Sequence, residues 1–274
     1  MAMDNSPHFL KRPEGRLAYD LNGSSESPLV VCVAGMGDLR STYRFLSSAL
    51  VEAGFRVACL ELRGHGDSDT TFTSYDDDAA ATDLVALIEH LGGPAVVVGH
   101  SMGSAAGIVA AARRPELVTG LVLVGPFARE PKVGLLLRGL MRVLLQRWWV
   151  RPVWKAYLPS LFAGAKAPDH AAQFDAVMAG LARPGHAVAF AATLRTTHHI
   201  AEEHIGEVKA PALVVMGELD KDFPDPAAEA GWIGEQLDAE VVMVPESGHY
   251  PHAQRPDVVN PAVVAFARQV SASA

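Results

Sequence analysis

The chain has 274 residues, of which 49% are apolar and 20% charged, so it can bury a sizeable core; neither a disordered composition nor a repeat period is present. Its formal charge of −8 excludes general binding to a nucleic-acid backbone, which takes an excess of Lys and Arg. The N-terminus lacks the apolar core of a secretion signal, and no apolar run approaches the ~20 residues of a membrane span, so a cytoplasmic protein without stable membrane insertion is expected.

Residues 8–23 read as a short strand pair at a sheet edge, turned at Pro13-Glu14-Gly15 and ended by Asn22-Gly23. Apolar runs then alternate with helical patterns. "PLVVCVAG" (28–35) is a predicted buried strand, residues 42–53 a helix stopped by Gly54, and "FRVACLEL" (55–62) a second strand. Helix 76–93 carries Asp76, Asp77 and Asp78 in its first turn, favourable at the positive end of the dipole. Strand 95–99, helix 101–114 and strand 120–125 follow. Cys32 and Cys59 fall inside predicted strands with no His or Cys at metal-ligand spacing, so they are expected as buried reduced thiols and no zinc is expected.

The alternation stops near residue 128. Residues 128–205 contain no convincing strand and read as about four helices punctuated by Pro152, Pro159, Pro168 and Pro184-Gly185. It resumes with strand 212–217, helix 226–237, strand 239–245 and helix 256–270. The prediction is an α/β protein with a mostly parallel, doubly wound sheet: a core formed by 1–127 and 206–274, with 128–205 inserted as a helical cap.

Ser101 lies where strand 95–99 gives way to a helix, in "GHSMG" (99–103). A serine on so sharp a turn needs residues without side chains two before and two after it, and then stands exposed at the helix N-terminus. A nucleophilic serine needs a base, and the base needs an orienting carboxylate. Asp220 follows strand 212–217 in "MGELDKDFPD", and His249 follows strand 239–245 in "PESGHYPH". Asp222 and His252 stand close by as alternatives for the acid and the base. The loop "VAGMGDLR" (33–40) offers a second backbone donor for an oxyanion, the Met36 N–H beside that of Met102. His65, in "RGHGDSD", also follows a strand end and could pass for a base, and "HHIAEEH" (198–204) lacks the HExxH spacing of a metal site, so no metal or other cofactor is expected.

The stretches "VAGMGDLR", "LRGHGDSD", "VVGHSMGSAAG", "VVMGELDKDFP" and "PESGHYPHAQRP" together resemble the α/β-hydrolase superfamily, in its branch of small, cofactor-independent proteins with a helical cap. The resemblance implies Ser101 as nucleophile, His249 as general base and then acid, Asp220 as orienting acid, and the Met36 and Met102 N–H groups as the oxyanion hole. Two departures stand out. Ala34-Gly35 replaces the His-Gly of many relatives, so the loop must be braced differently, and Gln254 stands where relatives often have Glu. The expected activity is that of a serine hydrolase on a small or medium, mostly apolar ester or lactone. Thioesters, amides and carbon–carbon bonds beta to a carbonyl are the rivals, and a non-catalytic ligand receptor is the alternative of another class.

"GLLLRGLMRVLLQRWWVRPVWKAYLPSLF" (134–162) predicts a helix over about 133–150 ended by Pro152 and apolar around most of its girth. The expected pocket is lined by His100, Leu140, Leu144, Trp148 and Tyr250. Seven basic residues and one acid between Arg129 and Lys155 form a solvated rim or a contact for an acidic carrier or an anionic membrane surface. A monomer or weak dimer is expected.

Overall fold

A computed structural model defines residues 7–130 and 146–273. The strands are β1 (His8–Arg12), β2 (Gly15–Asn22), β3 (Leu29–Val33), β4 (Arg56–Leu60), β5 (Ala95–His100), β6 (Val118–Val124), β7 (Ala212–Gly217) and β8 (Glu240–Val244). They form one eight-stranded sheet in the order β1-β2-β4-β3-β5-β6-β7-β8. β1 pairs antiparallel with β2 and β2 with β4, and every pair from β4 to β8 is parallel. Every residue of β3, β5 and β7 is buried, which is why these strands read as unbroken apolar runs. Cys32 and Cys59 are register neighbours on β3 and β4, both buried and free.

Two helical layers account for that burial. α1 (Arg44–Glu52) and α9 (Pro256–Ser273) cover one face through Leu46, Leu50, Val259 and Val263. α2 (Asp77–His90), α3 (Met102–Arg113) and α8 (Pro226–Leu237) cover the other through residues such as Leu84, Leu87, Ile108 and Ile233. β4 joins one side of β3 and β5 the other, so the strand order reverses at β3. An open sheet leaves a crevice at the carboxyl ends of the strands at such a point. The loops after β3 and β5 therefore meet there, and those after β7 and β8 join them along the same edge.

Between β6 and β7 the chain forms α4 (Val150–Leu161), α5 (His170–Ala182), α6 (His186–Thr193) and α7 (His199–His204). Their polar contacts go to loops at the carboxyl edge. Gln173 reaches Ser41 and Asp38, Asp169 binds the Arg44 guanidinium, and His186 and Arg183 bond the Gly66 carbonyl. A third apolar cluster, including Val150, Trp154, Leu158, Phe162, Phe190 and Tyr250, lies beneath them.

Two sequence expectations for this segment fail. Pro152 does not end a helix; it sits in the first turn of α4, where no helical partner awaits its missing N–H. Pro159 lies inside the same helix, which persists because its stripe of Val150, Trp154, Leu158 and Leu161 is buried. The start of the predicted 133–150 helix, with Leu140 and Leu144, lies outside the described residues. Trp148 lines none of the clefts found among the described residues. It is 62% exposed with the Arg147 guanidinium 3.9 Å over its ring, because the turn before α4 aims it outward.

Among the described residues no helix is long and apolar enough to cross a membrane. Leu84, fully buried on α2, tests the packing: Leu84→Ala is expected to cost about 2–5 kcal/mol in a denaturant titration. Val188→Ala, on the exposed side of α6, is expected to change stability by less than about 0.5 kcal/mol.

Candidate active site

β5 runs into α3 through Ser101, whose φ of 55° and ψ of −120° lie where residues with a Cβ rarely go. Such a conformation costs roughly 1–3 kcal/mol and persists only when its surroundings fix it. Here the Ser101 N–H donates to the Val124 carbonyl at 2.9 Å, the Ser104 N–H to the Ser101 carbonyl at 2.9 Å, and the Ser104 hydroxyl to the Gly99 carbonyl at 2.7 Å. A side chain at Gly99 would drive into the Gly103 backbone, and one at Gly103 into the Val33 carbonyl. The glycines of "GHSMG" are thus fixed by contact. A Cβ on Gly35 would lie 2.8 Å from the Ser101 Cβ, so the loop after β3 rides directly on the elbow.

His249 and Asp220 meet across the ends of β8 and β7. His249 Nδ1 lies 2.7 Å from Asp220 Oδ2, and both side chains are buried. A carboxylate only accepts, so Nδ1 carries a proton in either state and Nε2 is the nitrogen that gains or loses one. Burial pushes the imidazole pKa down, but the Asp220 charge, then that of Asp222, outweigh it and raise the group to about 9. Asp222, weighed as an alternative acid, holds its Oδ2 at 3.5 Å from the same Nδ1 and donates its N–H to Asp220 Oδ1 at 3.0 Å. His100 faces the His249 carbonyl at 3.0 Å through Nε2, and Tyr250 stacks on Phe162 at 4.2 Å. Both pack the loop that carries the imidazole.

The loop after β3 is braced from two sides. His65 Nε2 accepts the Gly37 N–H at 2.9 Å while its Nδ1 donates to the Arg63 carbonyl, also at 2.9 Å. Burial pulls the His65 pKa down to about 4, which keeps that accepting nitrogen bare. Trp154 of α4 donates to the Gly37 carbonyl at 3.2 Å. These two side chains brace a loop that has Ala34 in place of histidine. Among the described residues no backbone carbonyl outside the regular elements takes the N–H of Met36, and Met102, first in α3, has no helical acceptor.

Gln254 holds the imidazole loop. Its Oε1 accepts the Gly248 N–H at 3.0 Å, while its Nε2 donates to the carbonyls of Ala163 at 2.8 Å and Ala165 at 2.6 Å. A glutamate accepts but cannot donate when ionised, so this clamp between the insertion and the loop after β8 requires the amide.

The remaining sequence candidates have other partners. His252 is fully buried against Thr42 at 2.9 Å, and burial, with the nearby Arg44 and His249, pushes it to about 3. The histidines of 198–204 do not converge: His198 pairs with buried Asp77 at 2.8 Å and His204 with Glu207 at 2.8 Å. Asp220, Asp222 and His249 are the set near enough to share a metal ion among the described residues; Asp220 and His249 already share a hydrogen bond, and Asp222 accepts from Tyr157. The roles of Trp154, Tyr157 and Gln254 have no local sequence signal, because each acts on a distant segment. Tyr157, on α4, donates its hydroxyl to Asp222.

The model of the alpha/beta hydrolase family matches residues 30–262. The chain belongs to that family. This hydrolase is 28% identical to the 2-(acetamidomethylene)succinate hydrolase of Mesorhizobium japonicum, over 95% of this chain and 96% of that one. It is 30% identical to the dihydrolipoyllysine-residue acetyltransferase component of the acetoin cleaving system of Pseudomonas putida, over 93% of this chain and 68% of that one. Its fold is similar to a thermophilic esterase from Thermogutta terrifontis, with a TM-score of 0.81 at 24% identity, covering 97% and 99% of the two chains.

Gln254→Glu tests the clamp. The charged carboxylate would face two carbonyls it cannot bond, at an expected cost of about 1–3 kcal/mol in chemical denaturation, with Gln254→Ala losing a similar amount.

Proposed function

We propose that this protein is a cofactor-independent serine hydrolase, cleaving a carboxylic ester or lactone of a small to medium, mostly apolar substrate through an acyl-enzyme. Residues 128–205 are its cap. The observation that carries this reading is the buried 2.7 Å hydrogen bond between Asp220 and His249, at the sheet edge where Ser101 stands on its strained turn. In the proposed reaction the Ser101 hydroxyl attacks the substrate carbonyl as His249 Nε2 takes its proton. The Met36 and Met102 N–H groups bind the oxyanion, each contributing roughly 3 kcal/mol to the barrier reduction. His249 returns the proton to the leaving oxygen, then deprotonates the water that releases the acid and regenerates the serine. Asp220 holds the imidazole tautomer and stabilises the imidazolium.

Phe127, packed 5.8 Å from the His249 ring and 5.2 Å from that of Phe223, supports an apolar substrate. Ser101 and His249 are 3% and 2% exposed, which shields the reacting groups from bulk water. Amide cleavage is the second reading, favoured by the acetamido group in the name of the Mesorhizobium relative. An ester, lactone and amide panel separates the two.

Ser101→Ala is expected to abolish labelling by a fluorophosphonate and the burst of product from an activated ester; retention of either removes the nucleophile assignment. The reaction needs neutral His249, whose pKa is raised. Log kcat/KM is therefore expected to climb with pH and level off above a limb lying between the ordinary imidazole value of ~6.5 and about 9.

A further inference from the structure

α4 touches both halves of the reaction centre from one side. Trp154 and Tyr157 are three residues apart and share a helix face. The indole N–H reaches the Gly37 carbonyl, in the loop that carries the Met36 N–H. The phenol bonds Asp222 Oδ1, while the other oxygen of that carboxylate stands 3.5 Å from His249 Nδ1. That distance is too long for a hydrogen bond, yet it places a second negative charge beside the imidazole.

We propose that Trp154 and Tyr157 are positioning residues that couple seating of the cap to assembly of the site: Trp154 sets the oxyanion loop, and Tyr157 aims Asp222 as a second carboxylate at His249. The inference rests on the serine-hydrolase reading. Tyr157 remains a donor at working pH, because burial and then the Asp222 charge raise its phenol pKa. Because one helix carries both side chains, displacing α4 would break both contacts together, releasing the Gly37 peptide and the Asp222 carboxylate at once. The site is complete only with the helix seated.

Other groups around the imidazole do not replace this arrangement. Asp220, from the same loop as Asp222, makes the short bond. Asp38, in the loop after β3, is buried, with its carboxyl raised to about 6 by that burial; its Oδ1 accepts from the Leu39 N–H and from Gln173 of α5, and its charge acts on His249 more weakly than those of Asp220 and Asp222. His100 from the elbow and His252 from the loop of His249 itself are held neutral by burial, and burial raises the phenol of neighbouring Tyr250. Asp222 is thus the carboxylate beside the His249 Nδ1 that α4 holds.

The test uses the full-length chain, a soluble short-chain ester, and the variants Tyr157→Phe, Asp222→Asn, their double, and Trp154→Phe. Asp222→Asn is expected to move the limb of the kcat/KM profile to lower pH. Tyr157→Phe is expected to lower kcat about tenfold with little change in KM, and to have no further effect when Asp222 is already Asn. Trp154→Phe is expected to lower kcat several-fold and leave the limb in place. An unmoved limb in Asp222→Asn, or additive losses in the double variant, overturns the proposal. Should Trp154→Phe fold poorly, the Tyr157–Asp222 cycle alone decides. Fluorophosphonate labelling of Ser101 in the unmodified protein tests the serine-hydrolase reading separately.

Discussion

The close approach of three backbone segments at Ser101 governs the rest of the molecule. β5 can turn into α3 within one residue only because Gly99 and Gly103, two positions before and after Ser101, carry no side chain, and because the loop after β3 presents Gly35 to the same point. The sheet order makes this geometry available. β3 and β5 are neighbours with parallel registers, so their carboxyl ends open side by side. The two buried helical layers hold the sheet rigid enough to keep the strained serine in place.

Around that fixed point, neighbouring loops are secured by single side chains making two or more directional bonds. His65 ties the turn after β4 to the loop after β3, and Gln254 ties the loop after β8 to the chain following α4. The arginine and histidine contacts at Gly66 and Asp169 do the same for α5 and α6. The helices over the carboxyl edge thus carry both an apolar cluster and a set of polar pins. The pins fix the register of helices on loops, which apolar burial alone leaves loosely specified because it has no direction.

Much of this was legible in the chain because its signals are local. Helix 226–237 and strand 212–217 match the observed boundaries residue for residue, the helix being marked by the Asp225-Pro226 start and the strand by an unbroken apolar run. The elbow, Asp220 and His249 were legible because each follows a recognisable strand. What escaped depends on distance or on an ambiguous rule. A proline marks a helix end or a first turn equally well, so Pro152 was misassigned. The bonds of Gln254 and Tyr157 span 91 and 65 residues, and no spacing along the chain announces them. Trp148 reads as pocket lining as part of a helix running to residue 150, but residues 146–149 form a turn, and the side to which a turn aims a side chain is set by the backbone.

Gln254 has a consequence beyond holding a loop. It is uncharged at every pH the protein meets, and it anchors the segment whose imidazole changes charge. An acidic anchor in that place would gain and lose a proton of its own, and the position of the imidazole would drift with acidity. With an amide as anchor, a change in pH alters the charge on His249 while the loop that carries it stays put. Proton uptake and loop geometry are thereby insulated from each other.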